Sequence, residues 1–494
     1  MSGTETVSKE KDTVVLAVAP SPDDPTAKFH RLNELLSEIG MGTYQWKMFT
    51  LCGLGWIADN MWLQILASVL PQVQAEFNVP DATSGLGTSC VFIGMIFGSL
   101  GWGVISDIIG RKPAFVLTLT LGGIFGTAAA FSPNFLAYCI LLGLMGVGVG
   151  GNLPVDGSLF LEFIPKERQS LLMMLSLFWP VGGAIGALFS WWLIPSYSCV
   201  VTAAGYCDPA SNRGWRYTIA AMGLLTFAML LFRIFFIKMY ESPKWLITAG
   251  RKEEAIETLK KLAEMNGKTI QVSVDEFPDV ERETTAESVK RFTRDVKALF
   301  VGKMILTTVL ICLVWMTISI AYTMFYGFLP KFLATKSTGT PLTLNEVYRN
   351  YFIQTAFGIP GSVAGTYLID SRIGRKGTMC AGAIGIGISL FLFTTSGDSW
   401  IQLVYNCIAS FLSNLVYGVI YAYTPEVFAT NVRGTGVGLA SCLGRIVGVS
   451  APFLSGALIA VNPNYALYLS AGLFALMGVI SAFLPIETRG VAAL

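Results

Sequence analysis

Histidine is nearly absent from this chain. The one copy, His30, lies ahead of the first apolar run, so histidine-based metal sites, catalytic triads and imidazole proton relays lack material. Charge is scarce as well: 13% of the 494 residues are Asp, Glu, Lys or Arg, against about 25% in a soluble globular chain. The net charge of +2 leaves no basic excess for nucleic acid. No glycine-rich phosphate loop of the Walker type occurs, which argues against an ATP-driven pump. No Asn-x-Ser/Thr acceptor occurs either, so glycosylation says nothing about topology. The expectation is a protein without cofactor, metal or enzymatic activity.

The nine cysteines do not form a disulfide framework. Cys52, Cys90, Cys139, Cys312, Cys380, Cys407 and Cys442 lie inside apolar runs, where cysteine acts as a small hydrophobe. Cys199 and Cys207 share one polar connection, and a local disulfide is expected there if that connection faces an oxidising compartment.

What the chain does contain is apolar sequence. Hydrophobic residues make up 53% and mean hydropathy is +0.59, which fits one polytopic membrane domain better than several soluble ones. The 51 glycines suit close helix–helix contact in lipid. Apolar runs near 47–70, 86–106, 114–132, 135–159, 170–194 and 216–238 are followed by a polar stretch, Tyr240 to about Lys303. Further runs follow near 304–329, 350–370, 377–396, 400–423, 435–460 and 465–485. Each is about the length that crosses ~30 Å of hydrocarbon as a helix.

Residues 1–28 read as a disordered tail, and Phe29–Ile39 as an amphipathic helix, along the membrane surface or as a linker. The helix Gly250–Gly267, with charges of alternating sign, reads as a solvated helix with a gating or scaffold role. Arg111, Lys112, Lys166, Arg168, Lys238, Lys244, Arg372, Arg375, Lys376 and Arg433 fall on one side. The loops Pro71–Thr83, Ser132–Asn134 and Asn462–Asn464 carry no Lys or Arg. The positive-inside rule therefore places both termini and the long loop in the cytoplasm, although Arg213, Arg216, Lys331 and Lys336 fall outside. The Cys199–Cys207 connection then faces out.

Charged residues inside the spans are the candidates for function, because each costs at least ~2.5–3.5 kcal/mol at mid-bilayer. Asp59 sits in the middle of the first span, followed by Asn60 and Gln64, both candidates for binding substrate. It either hydrogen-bonds neighbouring helices or faces a central cavity and carries a proton. Asp156, towards one end of span four, is either an interfacial acid or a second coupling group. Arg445, deep in span eleven among small residues, either pairs with Asp59 or another acid, or receives a substrate carboxylate. Trp179, Tyr322, Tyr326, Gln354, Asn414, Tyr417 and Tyr421 could line a midplane cavity. Because aromatics are 12% of the chain, helix packing remains an alternative for each of them.

Between spans two and three, Gly103, Asp107, Gly110, Arg111 and Lys112 fit G-x-x-x-D-x-x-G-R-K. The glycines permit a tight turn at close helix approach, and Asp107 can pair with arginine to hold a gate. The pattern resembles the loop motif of the major facilitator superfamily. Asp370 with Arg375 in YLIDSRIGRKG is an altered copy in the second half, as two related halves imply. Pro165–Arg168, Tyr240–Arg251 and Thr424–Gly438, which includes Glu426 and Arg433, resemble further signatures of sugar-transporter-like members. Gly151–Pro165, Leu175–Gly183 and Leu443–Leu458 resemble the branch that holds synaptic-vesicle-related proteins, niacin permeases and aromatic-acid/proton symporters. The tail and loops resemble fungal members. One departure is Leu142, which stands where an arginine usually precedes the Gly146, Gly148, Gly150 run.

The resemblance implies an all-α membrane protein with the major facilitator fold: twelve transmembrane helices in two six-helix bundles. The boundaries expected are a cytoplasmic tail with a short surface helix (1–45), bundles over 46–238 and 304–486, a helical cytoplasmic loop (239–303) and a tail (487–494). It also implies alternating access, with a small organic anion such as nicotinate or another aromatic acid as cargo, coupled to protons. In that reading Asp59 and Asp156 couple protons, Arg445 binds the carboxylate, and Asp107 with Arg111 holds the inner gate. A neutral sugar or polyol symporter and an organic-cation or drug exporter are the alternatives. The chain is expected to be a plasma-membrane monomer whose partners are substrate, protons and the bilayer.

Overall fold

The computed structural model describes residues 29–168, 171–199, 210–236, 238–277, 285–302, 304–335, 342–369, 371–428 and 432–488. All regular structure there is helical. α1 (His30–Ile39) precedes the first bundle, which is built from α2 (Thr43–Phe77), α3 (Leu86–Ile109), α4 (Arg111–Ala129) and α5 (Phe135–Leu161). It is completed, after the single turn α6 (Leu171–Met174), by α7 (Phe178–Tyr197) and α8 (Gly214–Phe235). The connecting segment holds α9 (Pro243–Thr248), α10 (Lys252–Met265) and α11 (Thr285–Leu299). The second bundle comprises α12 (Met304–Tyr326), the short α13 (Leu329–Thr335), α14 (Leu344–Ala356), α15 (Gly358–Leu368), α16 (Gly374–Thr395), α17 (Ser399–Glu426), α18 (Arg433–Val461) and α19 (Pro463–Ala482).

Ten helices among the described residues are long and apolar enough to cross a membrane; α2 and the broken pair α14/α15 complete the twelve spans. These two fall short of that measure for physical reasons. Asp59, Asn60 and Gln64 dilute the apolarity of α2. Span eight breaks after Ala356 because Pro360 has no N–H for the Ala356 carbonyl. Proline also corrects span five, expected from residue 170. The long helix starts at Phe178 after a 3₁₀ turn over Leu175–Leu177, which keeps Pro180 in its first turn, where the missing donor costs nothing. Pro71, by contrast, sits inside α2, which runs on to Phe77. Most of the stretch expected as the Pro71–Thr83 loop is therefore helix.

The second bundle has its own apolar core, and the first has one at each end. We call the end carrying α1 and α10 the loop face and the opposite end the far face. On the loop face, Leu32, Leu35, Leu36 and Ile39 of α1 join Ala255, Ile256, Leu259 and Leu262 of α10 in one buried cluster. The expectation of a solvated loop helix is thereby corrected for its apolar side, and α1, expected on the membrane surface or as a linker, packs against that side. Each helix has one apolar stripe, and the two stripes cover each other and the end of the first bundle. Arg31 Nε fastens α1 to Glu276 at 2.6 Å.

Candidate substrate cavity and charge network

Asn60, Gln64 and Ser68 of α2 sit on the side that meets α7 and the broken span. Asn60 Nδ2 donates to the Trp179 carbonyl at 2.7 Å, and Gln64 Nε2 donates to Thr355 Oγ1 at 3.0 Å. Tyr351 Oη donates to the Gln64 carbonyl at 3.0 Å, and Tyr348 Oη to the Ser68 carbonyl at 2.7 Å. The Asn60 bond lies within the first bundle; the other three, with Ser89 Oγ to the Val449 carbonyl at 2.9 Å, close the bundles against each other towards the far face.

Below this closure lies a cavity of about 130 Å³ between the bundles. Asn60, Gln64, Trp179, Tyr322, Tyr326, Tyr417, Tyr421 and Arg445 line it, so eight of the ten expected binding residues converge there. Its walls are aromatic. Tyr322 packs on Tyr326 at 4.4 Å and edge-on to Tyr417 at 5.3 Å, and Trp315 meets Tyr421 edge-on at 5.0 Å. Trp315 and Phe92, which no sequence signal distinguished from packing aromatics, belong to the same wall. Asn414 lines a smaller adjoining cavity that shares Trp179, Tyr417 and Tyr421. Gln354 lies behind the wall, buried, with its amide on Thr355 Oγ1 at 2.7 Å.

Arg445 is the single charged residue lining the larger cavity among the described residues. It makes no ion pair or hydrogen bond with any described residue, and no acid shares the wall. Asp59 is not its partner. Fully buried inside the first bundle, Asp59 accepts from Asn152 Nδ2 at 2.8 Å through Oδ1, and its Oδ2 is unpartnered.

Asp156 is not an interfacial acid. It is fully buried and paired at 2.7 Å with Arg233 of α8, also fully buried. Arg233 escaped the sequence reading because it is two residues from the end of its helix, where an arginine reads as a flanking charge. The available signal was the apolar run LLFRIFF around it. Leu142 sits in the far-face core of the first bundle.

The loop-face motif closes a network within one bundle. Arg111 pairs with Asp107 at 2.8 Å and Glu162 at 3.2 Å, while Asp107 is 66% exposed. Glu241 accepts the Arg111 and Lys112 backbone N–H groups at 2.9 and 3.2 Å, and burial pushes its carboxyl above the ordinary value. The second bundle repeats this arrangement. Arg375 pairs with Glu426 at 2.6 Å, and Glu487 takes the Arg375 and Lys376 N–H groups at 3.0 and 3.2 Å. The arginine and glutamate are 51 residues apart in both bundles. Arg433 donates to the Phe428 carbonyl at 3.5 Å, and Asp370 lies outside the described residues.

Of the motif glycines, Gly110 holds φ at +104°, a left-handed value that disfavours any side chain. Gly103 has open space where a Cβ would stand, which corrects its expected part in a close approach. Cys199 is disulfide-bonded; Cys207 lies outside the described residues.

Comparison with known proteins agrees with this architecture. The family of sugar (and other) transporters matches residues 20–493. The major facilitator-type transporter hxnZ of Emericella nidulans is 36% identical, covering 94% of this chain and 88% of its own length. The synaptic vesicle 2-related protein of Bos taurus is 29% identical, over 99% of this chain and 86% of its own, in keeping with the branch resemblance. The xylose transporter XylE from E. coli, in a partially occluded inward-open conformation, superposes with a TM-score of 0.68. It is 16% identical and covers 91% of this chain and 100% of its own.

Proposed function

We propose that this chain, which belongs to the sugar (and other) transporter family of the major facilitator superfamily, carries a small organic anion by proton-coupled alternating access. The observation that carries the reading is Arg445, a lone cation on an aromatic cavity wall that no acid neutralises. An unpaired guanidinium in a low-dielectric site calls for an anionic ligand, and its planar fork matches a carboxylate. The tyrosines and tryptophans around it suit a flat ring, such as that of nicotinate or another aromatic monocarboxylate. Neutral sugars are less well served, because Asn60 and Gln64 each already commit one amide hydrogen, to Trp179 and Thr355, and the rest of the wall is largely aromatic. A cationic cargo would meet Arg445 with no acid to offset it.

In this reading the carboxylate binds Arg445 and a proton binds Asp59, whose Oδ2 is buried and unpartnered. Neutralising both charges lets the loaded halves, 46–238 and 304–486, rock about the cavity. The Arg111–Glu162 and Arg375–Glu426 pairs brace the loop-face ends, and Asp107 with Arg111 holds the inner gate. In this reading the carrier is a plasma-membrane monomer, and the basic loops support a cytoplasmic position for both termini.

Uptake into proteoliposomes under an imposed pH gradient tests this, with nicotinate, other aromatic acids, a neutral hexose and an organic amine compared. Acid accumulation that Arg445→Ala abolishes is expected. Accumulation of the hexose or the amine instead, or parental acid transport by Arg445→Ala, would overturn the reading.

A further inference from the structure

The first bundle buries two carboxylates and one guanidinium around one turn of α2. Asn152 and Asp156, one turn apart on α5, face Asp59 and Gly55, one turn apart on α2. A side chain at Gly55 would strike Asp156 Oδ2 at 1.8 Å and Arg233 Nη2 at 2.4 Å, so α2 passes directly over the ion pair. Arg233 is clamped where it stands. Nη2 donates to Asp156 Oδ2 and Nη1 to the Phe115 carbonyl, both at 2.7 Å, and its guanidinium lies 3.6 Å from the centre of the Phe115 ring. It cannot turn to Asp59 without losing all three contacts.

The charges around Asp59 are therefore unequal. Asp156 of α5 and Arg233 of α8 offset each other, and Arg445 of α18 acts on Asp59 only through space. Tyr421 of α17 feels Asp59, and the Cys52 thiol of α2 lies near Asp156 and Arg233. If both acids are ionised, one negative charge of the buried group has no contact partner. Asp59, with a single neutral amide donor, is where it resides.

We infer that Arg233 is a positioning residue for proton coupling: by holding Asp156 as a fixed ion pair, it leaves Asp59 as the proton acceptor of the two fully buried acids described in the first bundle. One proton then moves per cycle through this site, taken up on Asp59 Oδ2 and released from it, while Asp156 stays an ionised partner. This rests on the reading of Asp59 as the proton carrier.

Infrared spectroscopy tests the inference without a substrate. The full-length carrier in phosphatidylcholine vesicles is titrated with pH, and the C=O stretch of buried carboxylic acids is followed. The parental chain should show one titrating buried acid, absent in Asp59→Asn. Arg233→Leu should add a second such band, because Asp156 then has no counter-charge. Arg233→Lys and the double variant Asp156→Asn/Arg233→Leu should each return to one. A single unaltered band in Arg233→Leu overturns the inference. Should that variant fail to fold, the double variant, which removes the ion pair as a unit and leaves Asp59 as it was, decides: loss of its band overturns the inference and the parental band supports it. Persistence of the parental band in Asp59→Asn instead overturns the assignment of Asp59 itself.

Discussion

Lys331 Nζ lies 2.5 Å from Asp81 Oδ1, and the two residues belong to different bundles. Asp81 also accepts from Gln74, and the short turn that carries it rests on Gly456 of α18. This ion pair adds a charged latch to the far-face closure. Because Asp81 is 37% exposed, the pair is worth about 1 kcal/mol, roughly a five-fold shift in population. Asp81→Asn and Lys331→Met should therefore each raise the rate at which Ser89→Cys is labelled by an impermeant thiol reagent, by about that factor. The exchange Asp81→Lys/Lys331→Asp should restore the slow rate. Unchanged labelling in both single variants would show that the hydrogen bonds hold the closure without the latch.

The aromatic wall should discriminate among acids. Tyr421→Ala removes a ring that meets Trp315 at 5.0 Å, and loss of one aromatic contact costs about 0.5–1.5 kcal/mol. The half-saturating concentration of an aromatic acid should rise about two- to twelve-fold, while that of a short aliphatic acid changes little. Tyr421→Phe should stay near parental. Competition uptake measurements read both.

Arg445 should be harder to replace. Truncating one partner of a desolvated charge pair costs about 2–5 kcal/mol, or about thirty-fold to several thousand-fold in affinity. Arg445→Lys keeps the charge but not the planar fork, so it should recover part of the binding measured by scintillation proximity with labelled nicotinate. Equal losses in Arg445→Lys and Arg445→Ala would mean that geometry alone matters.

Glu241 links the loop face to pH. Burial raises its carboxyl above the reference value of 4.5, outweighing the backbone N–H bonds that favour its charge. Its folded form thus binds a proton more readily than the unfolded chain. The stability it contributes is complete below the unfolded value and is lost as pH rises through the raised folded value. Glu241→Gln should flatten that part of the thermal-unfolding profile of the purified protein. A profile of unchanged slope would assign the pH dependence to other groups.

Two glycines of one motif should behave in opposite ways. Gly110→Ala must force a φ of +104° on a side chain whose Cβ would stand 2.4 Å from Glu241 Oε2. It should cost at least about 1–2 kcal/mol. Gly103→Ala meets nothing within a helix, and should stabilise by up to about 1 kcal/mol. Melting temperatures in detergent compare them.

The spans were legible because their signal is local: twenty apolar residues specify a crossing wherever they occur, and Pro180 moved one start and Pro360 broke one span without changing the count. The cavity was partly legible for a related reason. A polar or charged residue in an apolar run must face protein, which singled out Asn60, Gln64, Asp59 and Arg445. Trp315 and Phe92 stayed hidden, since an aromatic ring is at home in lipid, in a core or on a cavity wall alike.

By itself, then, the sequence determined that the chain crosses the membrane repeatedly, that Asp59 and Arg445 lie within apolar spans, and that two halves repeat one plan. Only the tertiary structure decided which charges meet. Asp59 faces Asn152 and not Arg445, while Asp156 meets Arg233 from 77 residues away. Burial of a charge is set by its own segment's hydropathy. Its partner depends on how helices rotate and approach, which here turns on Gly55 letting α2 pass over an ion pair that any larger residue would displace.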